Sequence, residues 1–109
     1  MRIAGMRFIL ELEGPILDVR AAYHKAHQAA ATEVGWSSLD QRTFWRRMRK
    51  DGRSAAFLPG ARPSKLEAYR QAFERRVNAD EHVTLMAPWE GAREVLRELA
   101  DCGVWRICP

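Results

Sequence analysis

Residues 8–19 read FILELEGPILDV, an apolar run that ends in two glutamates followed by a glycine and a proline. The apolar residues 6–10, closed by a Gly-Pro turn signal, predict a short buried β-strand. Alternate residues of a strand point to the same side, so the carboxylates of Glu11 and Glu13 can converge. In parallel α/β sheets the ligand site lies outside the carboxyl ends of the strands, where converging carboxylates bind Mg²⁺ or act as nucleophile and general acid. The residues alone leave a second interpretation open, a solvated junction between strand and loop.

Three helices are predicted after this strand, over residues 18–34, 38–52 and 64–80. Asp18 can cap the first of them. The second and third begin at Ser38 and Ser64, each followed three residues later by Gln or Glu, which is the capping-box pattern. Their apolar residues recur at helical spacing, so each helix has one face suited to a core.

A return segment follows these helices. Residues 92–103 predict a helix whose Val95, Leu96 and Leu99 face inward, and residues 104–108 predict a second strand. One helix is sufficient to cross between parallel strands. The remaining insertion after the first strand therefore predicts a helical subdomain on an α/β core.

FILELEGPILDV resembles the first motif of the haloacid dehalogenase (HAD) superfamily, an apolar strand followed by Asp-x-Asp-Gly-Thr, two apolar residues and Asp. Residues 18–36, DVRAAYHKAHQAAATEVGW, resemble the first cap helix of its phosphatases with an α-helical cap, such as phosphoglycolate phosphatase and β-phosphoglucomutase relatives. Residues 87–108, APWEGAREVLRELADCGVWRIC, resemble the Pro-x-x-Gly, helix, Gly, strand segment of that group. The resemblance covers nearly the whole chain. It implies an α/β, HAD-like (Rossmann-like) core portion with an inserted α-helical cap and only about two core strands.

The resemblance also implies how the chain is divided. Residues 1–18 are expected to form the first core strand and motif loop, residues 19–84 the helical cap, and residues 85–109 the return helix and second core strand.

Site residues are carried over from the motif position by position. Glu11 stands where the family has its nucleophilic, Mg²⁺-binding aspartate, and Glu13 stands at the second aspartate, the general acid/base that binds the metal through its carbonyl. Gly14 matches the glycine of the turn, Pro15 replaces the usual threonine, and Asp18 matches the acid that begins the cap. The implied activity is Mg²⁺-dependent transfer of a phosphoryl group from a small phosphorylated substrate, through an acyl-phosphate on the first acid.

Several departures from the motif predict that this chain alone is not active. Glutamate adds a methylene and moves each carboxylate by roughly an ångström, a misplacement that can cost about 10²-fold in a preorganised site. Pro15 has neither a backbone N–H nor a hydroxyl to face a phosphate. The later Ser/Thr, Lys/Arg and acidic pair of the family are absent from the 109 residues. We therefore expect a fragment of a longer reading frame, a decayed remnant, or a domain whose missing strands come from a partner or an oligomer.

A basic segment suggests a different function. Residues 44–53, FWRRMRKDGR, interleave aromatic and basic residues as nucleic-acid or anionic-surface patches do. Residues 20–84 carry 13 Lys and Arg against 7 Asp and Glu, a net charge of +6. We favour an amphipathic helix with a solvated basic side over nucleic-acid binding. The alternative is a non-catalytic helical interaction module whose basic cap binds a protein or nucleic-acid partner.

Three further residues in the helical region are candidates for ligand contact. His24 and His27 are three apart and can share a metal, although a partly exposed helix face is the interpretation we favour. Arg62 follows Gly60 and Ala61 in a loop between helices. By resemblance, it is a candidate for touching a phosphorylated or carboxylated ligand.

Composition points to the cytoplasm. The sequence has no run of roughly 18 apolar residues that would span a membrane, and its first residues lack a signal-peptide core. Cys102 and Cys108 are too few and too close for a secreted disulfide framework, and we expect both to be reduced.

Overall fold

The structure, a computed structural model, describes residues 6–108, with only the backbone described for residues 6–8, 102 and 104–108. The elements within that range, in chain order, are β1 Met6–Glu11, β2 Leu17–Asp18, α1 Arg20–Glu33, α2 Gln41–Lys50, α3 Ser54–Phe57, α4 Pro63–Val77, α5 Asp80–Val83, β3 Ala87–Pro88, α6 Ala92–Cys102 and β4 Gly103–Cys108. None of the described helices has the length and apolar character needed to cross a membrane.

The chain divides into two compact units. Unit 1 contains the described residues up to Val19 and from Ala87 onward, so it holds β1 to β4 in two small sheets together with α6. Unit 2 is Arg20–Met86 and holds the five helices α1 to α5. Each unit is described separately below.

The main sheet of unit 1 is a parallel pair. β1 and β4 align from Met6 opposite Gly103 to Glu11 opposite Cys108. The second sheet is antiparallel and short, with Leu17 of β2 opposite Pro88 of β3. The parallel pair confirms the two strands predicted at these positions, whereas β2 and β3 were not predicted, because two-residue strands leave no periodic pattern in a sequence.

The helix of unit 1, α6, packs against β4. It begins after Gly91, which adopts a left-handed conformation at φ +82°. Leu96 and Leu99 are half-buried, as predicted, but Val95 is 55% exposed, so the prediction that Val95 faces inward is wrong. The helix has an apolar side that the described residues of unit 1 cover only in part.

The first long helix of unit 2 packs along α4. Its alanines at helical spacing, Ala22, Ala26 and Ala30, are fully buried, and so is Ala72 on α4. Alanine has no side chain beyond Cβ, so two helix backbones can approach closely along such a row. The apolar periodicity of the first and third predicted helices is therefore confirmed.

A core of large side chains fills unit 2. The core cluster consists of one residue each from α1 and α2, two from the end of α3, and two from α4: Ala30, Phe44, Phe57, Leu58, Tyr69 and Ala72. Aromatic rings pack in series through it, with Phe44 5.1 Å from Phe57 and Tyr69 6.0 Å from Phe73 between ring centroids. Aromatic pairs at these separations add stability beyond the apolar area they bury.

The start of α2 differs from the prediction. The helix begins at Gln41 and is capped by Asp40, whose carboxylate accepts a hydrogen bond from the Thr43 N–H at 3.1 Å. The capping box predicted at Ser38 is therefore wrong. Asp40 is a good cap residue and lies closer to the first apolar turn, so the local sequence offered two candidates and the structure uses the later one.

The start of α4 also differs. The helix begins at Pro63 with Arg62 at the cap position and without a side-chain cap bond, so the cap predicted at Ser64 is wrong. Proline suits the first position of a helix because its fixed φ is helical and the N–H it lacks would have no partner there. The stretches predicted as loop and linker also contain the one-turn helices α3 and α5.

Candidate functional site

The candidate site lies where β1 ends. Glu11 is the last residue of β1, and in the parallel register it stands opposite Cys108, the last residue of β4. Both strands therefore present their carboxyl ends at the same edge, the edge at which parallel α/β sheets place ligands. Glu11 is exposed there, as is Glu13 two residues further on. The sequence prediction that these acids follow a strand of a parallel pair is confirmed.

A tight turn follows the strand. The Gly14 N–H donates to the Leu17 carbonyl at 3.0 Å, and the Leu17 N–H donates to the Leu12 carbonyl at 3.0 Å. Gly14 has φ +103°, a conformation that residues with a Cβ rarely adopt. The turn therefore requires glycine at this position, and Pro15 follows directly, exposed.

The segment that returns from unit 2 holds this turn in place. The Trp89 N–H donates to the Ile16 carbonyl at 3.0 Å, and the Trp89 indole Nε1–H donates to the Gly14 carbonyl at 2.6 Å. Ile16 is buried between these contacts at 8% exposure. Trp89 is thus a positioning residue for the turn, a role that the sequence analysis did not identify. No local pattern pointed to this role, because the indole acceptor lies 75 residues away along the chain.

Two grooves flank this turn, and neither is lined by Glu11 or Glu13. One has a volume of about 480 Å³ and the other about 330 Å³, and both are bordered by Ile16, Trp89, Gly91, Ala92 and Leu96. Their linings are mainly apolar, so they suit a hydrocarbon surface better than a phosphate. Within unit 1, the acid edge and the apolar grooves are therefore separate features.

Magnesium was the cofactor implied by the resemblance. No group of three or more His, Cys, Asp or Glu side chains among the described residues is placed to hold a metal ion. Mg²⁺ is commonly held by one or two carboxylates with water and substrate oxygens completing an octahedron. Glu11 and Glu13 would offer two such carboxylates, and no third His, Cys, Asp or Glu side chain joins them among the residues described.

The other predicted candidates lie in unit 2, where His27 has no ring nitrogen free to bind a metal. His27 is fully buried, and both of its ring nitrogens have protein partners, the Leu39 N–H at 2.9 Å and the Tyr69 hydroxyl at 2.8 Å. The expectation of a partly exposed histidine face is therefore wrong for His27. Arg62 is exposed at the start of α4, as its loop assignment suggested.

The fold is similar to that of a haloacid dehalogenase-like family hydrolase from Streptococcus pneumoniae. The TM-score is 0.77 at 17% sequence identity, covering 94% of this chain and 48% of that one. The chain thus spans about half the length of the solved structure it matches. No family model matches the sequence, and a search of curated proteins finds no significant match. The HAD-like fold that FILELEGPILDV implied is confirmed at the level of fold.

Proposed function

We propose that the chain is a phosphatase-type HAD-like hydrolase domain, cytoplasmic, that does not hydrolyse phosphate esters by itself. In this proposal unit 1 is part of a Rossmann-like core and unit 2 is its α-helical cap. The observation that carries it is the position of Glu11 at the carboxyl end of β1, beside a parallel β4 and directly before the Gly14 turn. The similarity in fold to a HAD-like hydrolase supports the same assignment.

The chemistry follows from the two acids. A carboxylate at the Glu11 position would attack the phosphorus of a small phosphate ester to form an acyl-phosphate, and Glu13 would donate a proton to the leaving alcohol. Mg²⁺, when bound, would offset the negative charge shared by phosphate and carboxylates. The longer arm of glutamate moves each carboxylate away from the position an aspartate carboxylate would occupy, and an error of about 1 Å costs on the order of 10²-fold in rate.

Pro15 removes a further contribution. A backbone N–H after a strand-end glycine can donate to a phosphate oxygen, and proline has none. The turn itself is well held, since Trp89 fixes the Gly14 carbonyl and the Ile16 carbonyl. The proposal is therefore a retained scaffold with a weakened set of reacting groups.

A phosphate-ester assay tests this proposal. We expect the purified chain with p-nitrophenyl phosphate and millimolar Mg²⁺, a concentration that can fill a weak two-carboxylate site, to show no turnover above that of the matched Glu11→Ala variant. Turnover that disappears in Glu11→Ala would contradict the proposed inactivity and establish Glu11 as the nucleophile. The variant E11D/E13D/P15T restores the family's residues at these positions. Activity gained by that variant alone would locate the defect in the strand-end motif.

A further inference from the structure

We propose that α2 binds the phosphate backbone of double-stranded nucleic acid through a stripe of four cations, named here the α2 stripe: Arg42, Arg46, Arg49 and Lys50. These positions are three or four apart along the helix, so their side chains lie on one face. The opposite face is the one that enters the core of unit 2, through Phe44. The inference goes beyond the proposed hydrolase function and rests on unit 2 alone.

The four side chains of the α2 stripe are exposed, and none of them forms an ion pair or side-chain hydrogen bond with another residue of unit 2. Other arginines of this unit are engaged. Arg47 donates to the Ala56 carbonyl at 2.8 Å, Arg53 pairs with Asp51 at 3.1 Å, and Arg70 pairs with Glu67 at 2.7 Å. The basic segment predicted from sequence, residues 44–53, included Arg47. Its hydrogen bond to the Ala56 carbonyl excludes it from the α2 stripe.

Asp40 and Asp51 flank α2, and the dipole at its C-terminus favours the cations of the last turn. Within the stripe itself, like charges face each other at three- and four-residue spacing, and α2 carries no acidic residue between them. Such pairs destabilise an isolated helix by about 0.2–0.5 kcal/mol each. An anion lying along the stripe would reverse the sign of this contribution, because each cation would then face a negative charge.

The surroundings of the stripe favour nucleic acid over a protein or a membrane. The large apolar side chains of α2 are buried or half-buried. The exposed large hydrophobic residues of unit 2, Val83 and Leu85, follow α4 in the chain and are not part of α2. Protein interfaces have an apolar centre, and a membrane-surface helix inserts an apolar face. A phosphate backbone needs only cations.

The same argument favours a duplex over a single strand. Single-stranded ligands stack their bases on exposed aromatic rings. Trp45 is the aromatic residue beside the stripe, and it is half-buried with its indole N–H donating to the Arg20 carbonyl at 3.1 Å. The α2 stripe therefore recognises the charged phosphate backbone of the ligand and not its bases.

The dimensions match a duplex. From Arg42 to Lys50 the helix rises about 12 Å. One strand of a DNA duplex carries a charge about every 3.4 Å of axis, so about three or four phosphates of the strand facing the helix lie along this length, close to the number of cations in the stripe. Four neutralised phosphates predict a slope of log K against log [salt] of about −3 to −4.

A salt titration of the full chain tests the inference. Fluorescence anisotropy with a labelled, mixed-sequence DNA duplex of about 20 base pairs should give binding whose salt slope has this value. R46Q/R49Q should bind about tenfold or more weakly at 50 mM NaCl with a slope reduced by about 2. R46K/R49K, which keeps the charges, should bind like the parent, and circular dichroism should show that all variants are folded.

K25Q/R97Q is the matched control, since it removes the same net charge from exposed positions on α1 and α6. It should bind the duplex nearly as well as the parent. Equal weakening of both charge-removing variants would overturn the proposal, because net charge and not the α2 stripe would then be responsible. Absence of duplex binding at 50 mM NaCl, or tighter binding of poly-glutamate than of the duplex, would also overturn it. The last result would identify an acidic protein surface instead.

Discussion

His27 connects three segments of unit 2 from a fully buried position. Its Nε2 accepts a hydrogen bond from the Leu39 N–H at 2.9 Å, so the proton of the neutral ring is on Nδ1. That N–H donates to the Tyr69 oxygen at 2.8 Å. His24 donates from Nε2 to the Leu39 carbonyl at 2.7 Å. Both backbone groups of Leu39, which precedes α2, are therefore held by imidazoles of α1.

Acid should weaken this unit through His27. Burial, and secondarily the neighbouring His24, lowers the pKa of His27 from 6.5 to about 4. Between these values the unfolded chain binds a proton that the folded chain does not, so the free energy of unfolding falls as pH falls through this range. The slope is about 1.4 kcal/mol per pH unit, or about 3 kcal/mol in all. Urea unfolding followed by tryptophan fluorescence, at about pH 7.0, 5.5 and 4.5, measures this fall in the free energy of unfolding across the titration range of His27.

His27→Gln is the control for this prediction. Glutamine keeps a donor and an acceptor but does not titrate, so the variant should be less stable at pH 7 and lose less stability between pH 7 and 4.5. If the parent and the variant lost stability in parallel, the pH dependence would arise from other groups. The buried Tyr69 does not contribute, because burial raises its pKa further above neutrality.

The role of His27 was not predictable from local sequence. Its hydrogen-bond partners lie 12 and 42 residues away along the chain. A histidine between alanines of an apolar helix face is consistent with a core position or with a ligand site, and only the packing of α4 and of the segment before α2 decides between them. Arg47 illustrates the same limit, since its partner is the carbonyl of Ala56 in the next helix.

At the scale of elements, the start of α2 gives a direct test. Hydrogen bonds from Thr43, first of its side chain and then of its backbone, hold the pKa of Asp40 below its ordinary value. Replacing Asp40 with Ala removes the acceptor and leaves an N–H at the first turn unpaired. We expect the unfolding temperature to fall by a few degrees. Ser38→Ala, at the cap predicted from sequence, should leave it nearly unchanged. A larger effect at Ser38 than at Asp40 would show that the helix is capped by Ser38.

Long periodic elements could be predicted from sequence, and short ones could not. α1, α4 and α6 each repeat their apolar residues over several turns, and β1 and β4 are six-residue strands in which most residues are apolar. The one-turn helices and two-residue strands have no such repeat. The two-residue strands form because long-range backbone partners are available, as when β3 pairs with β2 across about seventy residues.

In the candidate site, likewise, features set by local conformation were predictable and long-range contacts were not. A strand followed by acids and a Gly-Pro turn located Glu11 and Gly14 correctly, because both depend on local conformation. Trp89 could not be assigned from pattern alone, since its acceptor at Gly14 is 75 residues away.

At the scale of the whole molecule the two units differ in how completely they bury their apolar residues. Unit 2 encloses Phe44, Leu58 and Tyr69 almost entirely. Unit 1 leaves Ile9 of β1 78% exposed and Val95 of α6 55% exposed. Parallel sheets normally have both faces covered, and here one described helix packs against a two-stranded sheet. Two strands with one helix are at the lower limit of what is stable in water.

Amide exchange should therefore separate the two units. Amides open with free energies that approach the global stability in well-packed cores and are much lower where few apolar contacts hold an element. We expect the slowest exchange in α1 and α4, and exchange at least tenfold faster in β1, β4 and α6, about 1.4 kcal/mol or more lower in opening free energy. Hydrogen–deuterium exchange of the full chain at neutral pH, resolved by peptide mass spectrometry, provides the comparison. If β1 and β4 exchanged as slowly as α4, the apolar surface at Ile9 and Val95 would have to be covered in solution, and sedimentation at several concentrations would then show whether a second copy of the chain covers it.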